Sequence, residues 1–174
     1  MIKAKHRIFL DTNFFLDIIR DRKEESKLLL EKIKRSEWYC CTSSFAVCEL
    51  VDKEQEFTYA LNLLTKEKRS IDEILRIRRE KNITQTEREE TIRKVRAFFA
   101  ENRIIRSHRI RDEGWDNALR ILRDQSISAC DSIHIATAIE TGCSVFITSD
   151  KGLGKAAKAE GIIWMSPEEA VQKL

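Results

Sequence analysis

Short apolar runs alternate with stretches of helical spacing from one end of this chain to the other, and that alternation limits the fold more than any other feature. RIFL, from Arg7 to Leu10, reads as a strand. Thr12 to Arg20 and Glu24 to Ser36 then carry apolar residues at helical spacing. EWYCCT, Glu37 to Thr42, is aromatic-rich and reads as a strand, and Ser43 to Val51 returns to helix. Arg103 to Ser107 reads as a strand, Asp112 to Asp124 and Cys130 to Thr141 as helices, Ser144 to Thr148 as a β-branched strand. Asp150 to Glu160 is a helix, Ile162 to Trp164 a last strand, and Pro167 opens a final short helix, where proline is tolerated. Gly142 and Gly161 stand where helices end, the position glycine favours. Alternation of this kind predicts an α/β fold: a three-layer α/β/α sandwich around a mainly parallel sheet.

Between Asp52 and about Asn102 there is no glycine and no proline, and every pattern is helical. Asn82 and Thr84 mark the expected break, with Thr84 or Thr86 as a new N-cap. The chain is read as one domain, 1–174, with residues 53–102 a helical elaboration within it. Its 174 residues suit a single core. No apolar run approaches the roughly 20 residues of a membrane-spanning helix, and the apolar run after the basic first residues is too short for a signal peptide. A cytoplasmic protein is expected.

Five cysteines, an odd number, show no C-x-x-C spacing, and since most flank or lie within apolar segments they are expected as buried free thiols. The three histidines, His6, His108 and His134, do not pair with them at zinc-ligand spacing. The net charge of +3 decides little, but its distribution is uneven. Between Lys66 and Arg111 there are fifteen Lys/Arg and eight Asp/Glu. Such a stretch suits a solvated helical face or an electrostatic track for phosphates. On the second reading Arg76, Arg78, Arg79, Arg93, Arg96, Arg103 and Arg106 are candidate RNA contacts.

Four carboxylates fall in unusual places. Asp11 follows the first strand directly, and Asp150 follows SVFIT. Both are expected at the carboxyl edge of the sheet, where doubly wound folds bind ligands. Glu49 is embedded in FAVCELV, and Asp131 opens the apolar helix CDSIHIATAIE. A carboxylate beside buried side chains costs several kcal/mol unless it is paired or coordinates a metal. Each acid has a simpler explanation: Asp11 and Asp150 as N-caps, Ser128 and Asp131 as a capping box, Glu49 reaching a basic neighbour. Taken together they suggest a converging cluster. Hard divalent cations prefer oxygen ligands, so Mg²⁺ or Mn²⁺ is the natural counter-charge. Such a centre suits phosphodiester hydrolysis. Thr12 and Asn13 stand where they can fix the rotamer of Asp11.

These residues resemble a known family. IFLDTNFFLDII is similar to the first motif of PIN-domain nucleases, SSFAVCELV to the second, and ACDSIHIATAIETGCSVFITSDKGL to the third and fourth. The nearest resemblance is to the VapC-type toxins of toxin–antitoxin pairs. It implies a Mg²⁺- or Mn²⁺-dependent endoribonuclease with RNA as substrate, a homodimer and inhibition by a VapB-type antitoxin. Asp11, Glu49, Asp131 and Asp150 match the metal-binding catalytic acids. Asn13, Ser44 and Thr148 match supporting positions. His134 matches a recurrent position one turn past Asp131 and is read as a packed helix residue. Many relatives carry a further acid two residues after the fourth, then an aromatic; here Gly152 and Leu153 stand there.

Four other readings have discriminating features. A dehalogenase-type phosphohydrolase needs D-x-D after the first strand, but the third residue is Asn13. A receiver domain needs paired acids there, and LDTN has one. A PIN-domain RNA-processing nuclease without an antitoxin, or a non-catalytic RNA-binding module on the same fold, would keep the architecture. Metal-dependent cleavage and the presence of a partner separate these from a toxin.

Overall fold

The computed structural model describes residues 6–174. They divide into two compact units: the described residues up to Val47 together with Asn102–Leu174, and Cys48–Glu101.

The first unit is built on a five-stranded parallel sheet of β1 (Arg7–Leu10), β2 (Tyr39–Ser43), β3 (Ile105–His108), β4 (Val145–Ile147) and β5 (Ile163–Met165). The spatial order is β3-β2-β1-β4-β5. Ile8 pairs with Cys40 on one side and with Val145 on the other. Every residue of the central strands after Arg7 and Tyr39 is buried, as expected where a parallel sheet is covered on both faces. On one face Phe9, Cys41 and Phe146 pack against α6 (Asp112–Asp124), α7 (Ala129–Glu140) and α8 (Lys151–Ala159). Phe9 and Phe146 stack with ring centroids 4.9 Å apart. Strand side chains alternate, so Ile8, Leu10, Val145 and Ile147 point to the other face, and they are buried too. The helices α1 (Thr12–Ile19), α2 (Glu24–Lys34) and α9 (Pro167–Lys173) pack on one another, α2 touching both others. This is the α/β sandwich that the alternation predicts.

Helix ends follow local chemistry. Glu24 and Glu25 open α2, and Lys32 and Lys34 close it, complementing its dipole. Ser166 and Glu169 form a capping box around Pro167 at the start of α9. Gly142, at φ +65°, turns the chain from α7 towards β4, a conformation costly for any residue with a Cβ.

The second unit holds most of α3 (Ser44–Thr65), with α4 (Ile71–Ile77), a 3-10 turn over Arg78–Glu80, and α5 (Gln85–Glu101). Tyr59, Leu63, Ile74 and Ile83 form its core. Thr84 caps α5: its hydroxyl accepts the Glu87 N–H, while the Glu87 carboxylate accepts from the Thr84 N–H and hydroxyl. The helical stretch also breaks earlier than the sequence reading expects, between Thr65 and Ile71. Lys68 adopts φ +56°, and Ser70 forms a capping box with Glu73 that starts α4 afresh.

Candidate active site

Strand order reverses at β1 and β4: the chain winds outward from β1 through β2 to β3, then returns to lay β4 on the opposite side of β1. Ligands in doubly wound sheets bind outside the carboxyl ends of the strands at such a point. Asp11 follows β1 there, and its N–H donates to the carbonyl of Ile147 at 3.1 Å. Its side chain is 2% exposed. Oδ2 accepts the hydroxyl of Thr148 at 2.8 Å and the side-chain amide of Asn13 at 3.2 Å. Asp11 is also the N-cap of α1.

Thr148 is fully buried. While its hydroxyl donates to Asp11, its oxygen accepts the N–H of Asp150 at 3.0 Å. The Trp164 indole N–H holds the Thr148 carbonyl at 3.2 Å. Asp150 caps α8, its Oδ1 accepting the N–H groups of Gly152 (2.7 Å) and Leu153 (3.0 Å). Asp131 is the third residue of α7, and its Oδ2 accepts the Ser128 N–H at 3.2 Å. Because α7 leads directly into the parallel strand β4, it runs antiparallel to the strands, so its N-terminus faces the same carboxyl edge. Three acids therefore stand at three helix N-termini, where the helix dipole favours negative charge.

The capping explanation and the site explanation hold together. For Asp131 and Asp150 one oxygen is engaged by the helix start, and the other has no hydrogen-bond partner among the described residues. Carboxylate oxygens of this kind are the donors that hard divalent cations take. Among the described residues, however, no three His, Cys, Asp or Glu side chains as placed form a set that could close around a metal ion. Glu49 lies half-buried on α3 within the second unit.

Of the supporting positions, Asn13 and Thr148 touch Asp11. Thr12 is buried in the first turn of α1. Ser44 is the first residue of α3, but it is its neighbour Ser43 whose oxygen accepts the Ala46 N–H at 3.0 Å and meets His134 Nδ1 at 2.8 Å. His134 is fully buried against Phe9. It ties α7 to the end of β2.

Sequence reasoning passed over Asp17. This carboxylate is fully buried in α1. Arg22 approaches its Oδ1 to 2.7 Å, and the hydroxyls of Ser26 and Ser149 lie 3.4 Å from Oδ2. Lys23 joins Ser149 to Glu168. The loop that carries Thr148 and Asp150 is thus anchored from behind. A single acid inside the apolar run FFLDII was the readable signal.

The candidate RNA contacts are dispersed. The second unit holds twelve Lys/Arg and twelve Asp/Glu, so it is neutral overall. Arg78 pairs with the buried Glu56 at 3.0 Å, and Arg93 lies 3.8 Å from Glu90. Arg76, Arg79 and Arg96 are exposed. Arg103 and Arg106 belong to the first unit, Arg106 lying over the ring of Tyr39.

The sequence profile of the PIN domain matches residues 8–159. No curated protein sequence matches the chain. Among the solved structures similar in fold are FitAB bound to an IR36 DNA fragment and FitAcB from Neisseria gonorrhoeae. Each is 21% identical with a TM-score of 0.50, and 92% of this chain aligns with 95% and 97% of theirs. At that identity the likeness shows the fold alone.

Proposed function

The chain belongs to the PIN-domain family, whose members are generally nucleases, and from that premise we propose that it is a divalent-metal-dependent endoribonuclease, the VapC-type toxin of a toxin–antitoxin pair. The observation that carries the reading is the placement of Asp11, Asp131 and Asp150 at three helix N-termini along the carboxyl edge of the sheet. These three, with Glu49 of the second motif, are the proposed ligands for Mg²⁺ or Mn²⁺. When bound, such an ion lowers the pKa of water to make a nucleophile and steadies negative charge on the phosphate.

The chain's own residues do the rest. Thr148 and Asn13 fix the carboxylate of Asp11, so that its geometry is set before substrate arrives. Thr148 also fixes the backbone at Asp150. The unengaged oxygens of Asp131 and Asp150 face no competing donor among the described residues.

Silencing by a VapB-type antitoxin is proposed on the VapC resemblance, together with a homodimer and a cytoplasmic location. No described helix is long and apolar enough to cross a membrane.

The test joins metal binding to cleavage. Mn²⁺ at about 100 times its Kd should stabilise the protein by about 2.7 kcal/mol, and cleavage of single-stranded RNA should stop in excess EDTA. Asp11→Asn keeps an oxygen for Thr148, so its melt in EDTA should move little while both the Mn²⁺ shift and cleavage are lost. Undiminished cleavage by this variant, or by the parent in EDTA, would remove the reading. Growth arrest on expression, relieved by a small co-expressed partner, is the expected mark of the toxin.

A further inference from the structure

The RNA strand proposed above needs somewhere for its phosphates to rest, and the neutral second unit is a poor place for them. The excess of positive charge lies instead in RIIRSHRIR, Arg103 to Arg111, which holds four arginines and no acid. It contains the edge strand β3.

One arrangement there is already ordered. The guanidinium of Arg7 lies over the ring of Tyr39 with its carbon 4.5 Å from the centroid. That of Arg106 lies 5.1 Å from the same centroid. Arg7 begins β1, Tyr39 begins β2 and Arg106 is in β3, so three adjacent strands supply the group. The Tyr39 hydroxyl is fixed at 2.5 Å from His108 Nε2. Both arginines are exposed, and neither has a carboxylate within ion-pair distance among the described residues. The nearby Glu140 is engaged by Arg111 at 3.1 Å and by the Arg111 N–H at 3.2 Å.

We propose that Arg7 and Arg106, held on the ring of Tyr39, form a binding site for the phosphates of the RNA strand on the first unit. Two guanidiniums brought to one ring repel each other, and a bound anion relieves that repulsion. The ring holds each side chain through cation–π attraction and lowers the entropy lost on binding. Each guanidinium presents a planar fork of donors that matches phosphate oxygens. The local field agrees: besides burial, the charges of Arg106, Arg111 and Arg7 hold the His108 imidazole below its ordinary pKa against the pull of Glu140.

The test uses a fluorescent single-stranded RNA 12-mer in EDTA, so that binding is read without cleavage. Anisotropy gives the affinity across a salt series for the parent, Arg7→Gln, Arg106→Gln, the double variant, and Arg35→Gln as an exposed control elsewhere on the unit. Each lost phosphate contact should flatten the log–log slope by about 0.7, and the double variant by about 1.4. Thermal melts of all variants should match the parent, since both side chains are exposed. With Mn²⁺ the double variant should show a raised KM and an unchanged kcat. A double variant with the slope of the Arg35→Gln control overturns the site while leaving the nuclease reading intact. A flattened slope in the double variant, when the parent protein cuts no RNA with Mn²⁺, supports the site and overturns the nuclease reading.

Discussion

The hydroxyl of Thr148 donates to Asp11 at 2.8 Å while its oxygen receives the backbone N–H of Asp150 at 3.0 Å, so a single buried side chain fixes two of the candidate acids. Thr148→Val keeps the shape and removes both bonds. It leaves Asp11 short of a donor and the Asp150 N–H without its acceptor. The expected loss is about 1–3 kcal/mol in urea unfolding, with a reduced Mn²⁺ shift, and Thr148→Ser should recover most of both. A valine variant as stable and as metal-responsive as the parent would mean that the relay has no energetic role.

Asp17 is expected to act through the loop that it anchors. Asp17→Ala removes the acceptor for the hydroxyls of Ser26 and Ser149 and the partner of Arg22, costing about 1–3 kcal/mol. Combined with Ser149→Ala the losses should fall short of additive by 0.5 kcal/mol or more, on the order expected for residues in one network. Simple additivity in the double-mutant cycle would show that Ser149 and Asp17 do not cooperate.

Gly154 lies under the indole of Trp164: a Cβ built there would stand 2.2 Å from the ring. Gly154→Ala should therefore destabilise by about 1–3 kcal/mol through overpacking. The displaced indole is the one that holds the Thr148 carbonyl, so the Mn²⁺ shift should fall with stability. Trp164→Phe in the same chain should relieve part of the clash. No relief would locate the cost elsewhere in α8.

Glu87 is the acid expected to give the second unit its pH dependence. The Asn62 amide, then the Thr84 N–H and hydroxyl, hold its carboxyl down to about 2. A depressed carboxylate pKa contributes stability above its unfolded value of about 4.3. That stability is lost as pH falls from there through about 2. At pH 7 Glu87→Gln should melt below the parent, and the two curves should converge as pH falls through this window. Parallel curves would exclude Glu87 as the cause.

The thiols should separate by burial. Cys40, Cys41 and Cys143 are buried as the sequence reading expects, but Cys48 and Cys130 are exposed, because they stand on the outward sides of α3 and α7. Burial pushes the Cys40 thiol up to about 12, and Cys41 lies 3.4 Å from Cys143 and is pushed up as well. Alkylation of the native protein should label Cys48 and Cys130, and the other three only after unfolding. Early labelling of Cys41 in a peptide map would contradict this packing.

The alternating pattern carried the strands well because parallel strands are apolar on both faces and helices between them keep a different period. The break between Thr65 and Ile71 went unread because no glycine or proline marks it. Its signal is subtler, S-x-x-E at Ser70 and Glu73, and the left-handed turn is taken by Lys68. The positions after β1 and β4 were legible since the strand ends are. For Asp17 the apolar run FFLDII signalled a buried acid, but its partners Arg22, Ser26 and Ser149 come from outside α1, and no local pattern announces that meeting. The charge excess between Lys66 and Arg111 is unevenly shared. Ion pairs such as Lys94 with Glu54 and Lys81 with Asp52 neutralise the second unit, and the unbalanced arginines lie beyond it.

The bond between Thr148 and Asp11 joins residues 137 positions apart. At ordinary translation speeds the ribosome delivers Thr148 on the order of ten seconds after Asp11. Throughout that interval β1 is without β4, one of the two strands that flank it in the finished sheet, and Asp11 is without Thr148 and Asp150. A product of stalled synthesis ending short of Val145 therefore contains the first three motifs and no completed crevice. Such a fragment, made deliberately, is expected to show neither a Mn²⁺-dependent rise in melting temperature nor RNA cleavage, so that the proposed activity would first arise only after Asp150 has been translated.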